Sequence, residues 1–270
     1  MENRKAIKKT TEILQRNGIE SAAFEATQIV EFAVGNAENV TETDWQKIKE
    51  MTAKRLENEP LQYILGEWEF YGLPIKVGEG VLVPRPDTET VVDEALKLLK
   101  SIPSPTVFDL CAGSGCIGIA LAHYGKAKVS FFEKSPAALH YLKQNTELNS
   151  VECEIRAYDV LGAPPKGIAV DMIVSNPPYI RTDVIGGLSA EVQKEPKMAL
   201  DGGSDGLVFY RYITKVWKSS LKNGGWLVFE IGYDQAKQVT EILKSEGFGS
   251  VECKKDLGGN PRVVLGQYII

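Results

Sequence analysis

From Thr106 onward, apolar runs of strand length alternate with stretches of helical periodicity, and few folds accept that order. The pattern predicts strands over 107–111, 128–133, 154–158, 171–175, 226–231, 250–254 and 262–269, with helices over 116–123, 136–148, 207–219 and 234–246. Strands separated by helical crossovers run parallel, and a parallel sheet is covered on both faces. The segment 256–261 is too short for such a crossover, so the last two strands should pair antiparallel at the end of the sheet. The expected fold is an α/β, Rossmann-like domain with a mostly parallel seven-stranded sheet and an antiparallel end strand.

Residues 5–57 read as helical, with Ile7, Ile13, Leu14, Ala22, Ala23, Ile29, Val30, Phe32 and Ala33 as the expected buried positions. Thr41, followed three residues on by Asp44, marks a helix start. Glu59-Pro60 breaks the pattern, and 61–83 carries short extended segments with turn points at Gly66 and Gly72. Val83-Pro84-Arg85-Pro86-Asp87-Thr88-Glu89 is a proline-stiffened loop that should feed a helix over 88–99, with Asp87 as its cap. The expected domains are therefore 1–58, a small helical module of mixed charge suited to contacting a protein or to packing; 59–84, a β-hairpin linker; and 85–270, the α/β domain.

Within the 270 residues, the net charge of −5 argues against a surface built to neutralise nucleic-acid phosphates. No stretch has the apolar length of a membrane span, and Met1-Glu2-Asn3-Arg4-Lys5 does not open a signal peptide; a cytoplasmic protein without membrane contact is expected. The four cysteines form no CxxC pair, and His123 and His140 are the only histidines, so neither a metal site nor a histidine triad is expected.

Two motifs carry chemistry. Asp109-Leu110-Cys111-Ala112-Gly113-Ser114-Gly115-Cys116 runs from a strand through a glycine turn into a helix, at the sheet edge where open α/β folds bind ligands. Glu133 ends the next strand at the distance expected of a carboxylate that grips ribose hydroxyls, although a solvated strand end fits the same position. NAD and S-adenosylmethionine both suit this outline. Asp109, Glu133 and Asp159 make the neighbourhood acidic, which disfavours a pyrophosphate and favours a sulfonium and an ammonium. Asp159 can accept from an adenine amino group while Val160 packs on the ring; capping a turn is its simpler role.

The second motif, Asn176-Pro177-Pro178-Tyr179, ends an apolar strand in two residues that have no N–H. The Asn176 side chain and the Pro177 carbonyl are acceptors suited to a planar NH2 group, and Tyr179 offers a flat face and a hydroxyl. Alone, the tetrapeptide fits a Pro-Pro turn with a packed tyrosine equally well. Beside a cofactor it suggests amino-group methylation, in which two fixed N–H bonds aim the nitrogen lone pair and no general base is needed.

These residues resemble the protein-(glutamine-N5) methyltransferases that modify peptide-chain release factors. The resemblance extends to Gln62-Tyr63-Ile64-Leu65-Gly66, the 83–89 loop, Glu195-Pro196-Lys197-Met198-Ala199-Leu200-Asp201-Gly202-Gly203 and Phe229-Glu230-Ile231-Gly232. It implies an S-adenosylmethionine-dependent methyltransferase domain that methylates the Gln of a release factor's Gly-Gly-Gln motif and leaves S-adenosylhomocysteine. The helical N-terminal domain would help to dock that protein. By the same resemblance Cys111, Ala112, Gly113, Ser114, Gly115, Glu133, Asp159, Val160 and Asn176 fall on cofactor positions. Asn176, Pro177, Pro178 and Tyr179 fall on the glutamine pocket. Cys111-Ala112 departs from the frequent Gly-Thr, and Glu133 from the frequent Asp. A monomer is expected, without stable nucleic-acid binding. The alternative is an exocyclic amino-methyltransferase of DNA or RNA of the N6-adenine type, which would want a basic groove.

Overall fold

The computed structural model describes residues 1–35 and 37–269. They form two compact units, one of residues 1–67 with 189–194, the other of 68–188 with 195 onward.

The first unit contains helices α1 (Asn3–Arg16), α2 (Ala22–Val34), α3 (Glu42–Leu56) and α4 (Leu61–Leu65). Ala6, Thr10 and Leu14 lie four apart on one stripe of α1, and they meet the Ala22, Ala26, Ile29 and Val30 side of α2. Ile13, Ala23 and Phe32 were expected inside but lie off these stripes, and they face solvent. Thr41 caps α3 as the sequence suggests, trading hydrogen bonds with Asp44 in a capping box. On the far turn of α3, buried Arg55 bonds Glu25 at 2.6 Å and Glu191 of the 189–194 segment at 2.8 Å. Removing one partner of such a buried pair costs roughly 3–5 kcal/mol. Extended structure was expected from residue 61. Instead Pro60 starts α4 and Gly66, at φ 78°, stops it, so the hairpin occupies only β1 (Glu67–Phe70) and β2 (Leu73–Lys76).

In the second unit a 3₁₀ turn at Pro86–Thr88 leads into α5 (Glu89–Leu99). Asp87 does not cap this helix; its carboxylate pairs with Arg262 at 3.0 Å. There follow β3 (Thr106–Leu110), α6 (Cys116–Gly125), β4 (Lys128–Glu133), α7 (Pro136–Leu148), β5 (Glu154–Ala157) and β6 (Val170–Ser175). The chain is completed by α8 (Lys197–Leu200), α9 (Val208–Val216), β7 (Leu221–Glu230), α10 (Ala236–Ser245), β8 (Phe248–Lys255) and β9 (Pro261–Tyr268). The seven strands stand in the order β5-β4-β3-β6-β7-β9-β8. Only β9 opposes the others, and it sits one place in from the edge, because the α10 crossover sets β8 wide of β7 and the tight 256–260 turn returns β9 into the gap.

One side of the sheet packs on Trp217, whose ring meets Phe108, Phe132 and Tyr158 edge to face and whose Nε1 donates to the Val160 carbonyl at 2.8 Å. The strand order turns back between β3 and β6, so their carboxyl ends open a crevice there. Ser175 Oγ, at the end of β6, donates to the Leu110 carbonyl at 2.6 Å and fixes the spacing of that crevice.

Candidate active site

A cavity of about 310 Å³ opens at the crevice, in the size range of ligand sites. The turn after β3 forms its floor. Cys111 takes φ 58°, a left-handed conformation that strains a side-chain-bearing residue by about 1–2 kcal/mol and that glycine adopts freely. Gly113 at φ 56° opens onto empty space, whereas a Cβ on Gly115 would stand 2.3 Å from Leu142. The turn is braced from behind. Asp109 Oδ2 accepts from the Gly118 N–H at 2.9 Å, and Asn145 Nδ2 donates to the Ser114 carbonyl at 2.9 Å while the same side chain clasps Lys76 of β2. Asn145 carried no signal in the sequence, because its partners are 31 and 69 residues away.

Glu133 Oε2 accepts from the Gly113 N–H at 2.8 Å, and Oε1 accepts from the Lys134 and Ser135 N–H groups, both at 2.7 Å. Three of roughly four acceptor sites on the carboxylate are thus filled by backbone, leaving about one for a ligand hydroxyl. Asp159 Oδ1 caps Leu161, and Oδ2 meets Lys134 Nζ at 2.6 Å. That hydrogen bond holds the Asp159 carboxyl below the usual range. Asp109, expected among the acids of the site, is enclosed behind the turn, and burial pushes it up to about 7.

The cavity wall brings together Cys111, Ala112, Gly113, Ser114, Glu133, Asp159, Val160, Asn176 and Pro178. Gly115 lies beneath them, and Pro177 and Tyr179 do not reach the wall. The Tyr179 ring turns inward instead, where its hydroxyl donates to Glu230 Oε1 at 3.3 Å and its carbonyl accepts from Gln235 Nε2 at 2.9 Å. The 83–88 loop also supplies Val83, Pro84, Arg85 and Thr88 to the wall. Buried Glu195 holds that loop by accepting from the Val83 N–H at 3.0 Å and from Arg85. The 83–89 motif was visible in the sequence; its clamp by Glu195, more than a hundred residues on, was not.

Both basic side chains on the wall are engaged, Arg85 with Glu195 and Lys134 with Asp159. Among the described residues no cluster of free cations faces the turn to receive a pyrophosphate. Two carboxylates and backbone N–H groups around an open glycine suit a cationic, phosphate-free nucleoside. Among the described residues no group of His, Cys, Asp and Glu could hold a metal ion, and no helix is long and apolar enough to cross a membrane. A sheet of this order with such a turn, joined at its switch point to an acceptor-rich Asn-Pro-Pro-Tyr corner, defines an S-adenosylmethionine-dependent methyltransferase.

Residues 88–204 match the methyltransferase small domain and residues 5–66 the PrmC N-terminal domain. The Fusobacterium nucleatum release factor glutamine methyltransferase is 39% identical over 100% of this chain and 80% of its own length. The Geobacter sulfurreducens protein of the same name is 37% identical over 98% of this chain and 96% of its own. In fold, the chain is similar to the catalytic domain of hMettl16 in complex with MAT2A 3′UTR hairpin 1, at 16% identity, a TM-score of 0.63 and coverage of 92% and 91%. It is also similar to a T. thermophilus 16S rRNA methyltransferase in complex with AdoMet and guanosine, at 20% identity, a TM-score of 0.54 and coverage of 75% and 49%. The chain belongs to the release factor glutamine methyltransferase family.

Proposed function

We infer that this protein methylates the side-chain amide nitrogen of the glutamine in the Gly-Gly-Gln motif of a peptide-chain release factor. The observation that supports this most is the corner after β6. Asn176 and Pro178 share one cavity with the glycine turn, and the chain between them carries the Pro177 carbonyl. S-adenosylmethionine supplies the methyl group on a positively charged sulfur. Cys111–Ser114, Glu133, Asp159 and Val160 would hold the cofactor, Glu133 through its remaining acceptor site toward a ribose hydroxyl and Asp159 as an acceptor for the adenine amino group.

The glutamine amide is a weak nucleophile because its lone pair is delocalised into the carbonyl. Asn176 Oδ1, on the cavity wall, accepts one of its N–H bonds, and the Pro177 carbonyl, set just behind the wall, is the acceptor for the other, an arrangement that would turn the lone pair outward for attack. Positioning of this kind supplies up to roughly 7–11 kcal/mol of a barrier. A substrate without the NH2 group leaves both acceptors unpaired at roughly 1–3 kcal/mol each, so the same atoms select the substrate. The proton made acidic by methylation leaves to water. Tyr179 shapes this pocket from behind through its bonds to Glu230 and Gln235.

The helical 1–58 region contributes a docking surface for the release factor, with Phe24 and Phe32 exposed on α2. The protein acts as a cytoplasmic monomer without stable nucleic-acid binding or membrane contact. Mass spectrometry of a release factor incubated with the protein and S-adenosylmethionine tests the reading. The expected result is one added methyl group on the Gly-Gly-Gln glutamine. An unmodified glutamine, with methylated adenine in a parallel oligonucleotide reaction, would overturn it in favour of a nucleobase substrate.

A further inference from the structure

Glu230 ends β7 with 2% of its surface exposed, and in the transfer described above it touches neither the substrate nor the cofactor. The register pairs Ser175 with Phe229, so Asn176 leaves β6 beside Glu230. One carboxyl oxygen takes the Tyr179 hydroxyl. The other, Oε2, is buried without a partner, as is Thr88 Oγ1, which faces it and belongs to a residue of the cavity wall. Arg262, bonded to Asp256 and paired with Asp87, lies close enough to favour the Glu230 anion.

Tyr179 is confined on its other sides by backbone. A Cβ on Gly202 would stand 2.7 Å from Tyr179 Cα, and one on Gly206 would stand 2.4 Å from the Tyr179 carbonyl oxygen. With Gln235 holding that carbonyl, the Tyr179 hydroxyl is the remaining handle on the Asn176–Tyr179 corner, and Glu230 grips it. A carboxyl group is a costly side chain to bury among Phe229, Ile231 and Tyr210 unless its hydrogen bonds matter.

We propose that Glu230 is a positioning residue for the methyl transfer, fixing the Asn176–Tyr179 corner through the Tyr179 hydroxyl and bridging it to Thr88 on the opposite wall. This rests on the functional reading given above. Glutamine at 230 keeps an acceptor for Tyr179 and presents an NH2 group to Thr88, whereas leucine offers neither.

The test compares kcat and KM for release-factor methylation and S-adenosylhomocysteine affinity in the full-length wild type, Glu230→Gln, Glu230→Leu, Tyr179→Phe and Tyr179→Phe/Glu230→Leu. Glu230→Leu is expected to lower kcat about thirtyfold, with KM and S-adenosylhomocysteine affinity within threefold. Glu230→Gln should retain at least a third of kcat. Tyr179→Phe should lose about five- to tenfold, and the double variant should fall no more than twofold below Glu230→Leu. A folded Glu230→Leu with kcat within twofold of wild type, or losses that multiply in the double variant, would overturn the inference. If Glu230→Leu does not fold, Tyr179→Phe decides it, since unchanged kcat there refutes the grip. A wild type that leaves the glutamine unmodified overturns the functional reading instead, whatever the variants do.

Discussion

The ends of β3 and β7 each bury a carboxyl group that burial pushes up to about 7, yet Asp109 and Glu230 are held in opposite ways. Asp109 accepts from a backbone N–H nine residues away, and its neighbour Glu133 accepts three more from 113, 134 and 135. Glu230 relies on side chains instead, Tyr179 51 residues away and Thr88, which faces its other oxygen. The glycine-turn side, proposed for the cofactor, is thus built from short loops that carry their own donors. The Asn176–Tyr179 side, proposed for the amide, is assembled from separate strands, and its geometry is only as good as the packing between them.

The largest effect expected from breaking this contrast comes from Asn176→Ala. Turnover should fall at least about a hundredfold, equivalent to roughly 3 kcal/mol, while cofactor affinity stays within several-fold. Steady-state kinetics beside calorimetric titration with S-adenosylhomocysteine checks this, and a fully active variant would sink the mechanism.

A pair of glycine substitutions should separate the two sides next. Gly202→Ala drives a Cβ to 2.7 Å from the Pro178 carbonyl oxygen and should reduce turnover about tenfold with little change in cofactor binding. Gly115→Ala, at φ 82° and 2.3 Å from Leu142, should weaken cofactor binding about tenfold. Each should lower stability by roughly 1–3 kcal/mol, readable by urea titration. Equal loss of binding in both would show that the two sides are one unit.

The pH dependence of stability gives a comparable effect. Asp109 and Glu230 have folded-state values near 7, above the ordinary 3.8 and 4.5, because burial disfavours their charged forms. The stability this confers is fully present below the unfolded values and is lost as pH rises through 7. Between pH 5 and 8, Asp109→Asn and Glu230→Gln should each flatten the decline by roughly 2–3 kcal/mol, measured by thermal unfolding. The smallest effect belongs to Lys134→Ala. Its pair with Asp159 is exposed, so cofactor affinity should change less than about threefold in the same titration.

Much of the glycine-turn side was legible in the chain because its constraints are local. The left-handed turn needs Gly113 and Gly115, the strand before it is apolar, and Glu133 falls twenty residues after Gly113. The amide side was legible only as a tetrapeptide. The sequence offered Tyr179 as a flat face for the substrate, but Glu230 and Gln235 draw it inward, and no spacing rule relates 179 to 230 and 235. The Glu195 clamp on Val83 and the Asn145 clasp on Ser114 were hidden for the same reason.

By itself, then, the sequence determined the alternation of strands and helices, the glycine turn and the proline-ended strand that carries Asn176. All three follow from torsional limits and periodicity acting within about twenty residues. The tertiary structure alone decided that β6 lies between β3 and β7, that β9 enters ahead of the edge, and that Glu230 meets Tyr179. Strand order is set by how whole helices and strands share one core, and a buried polar group finds its partner only once that order exists.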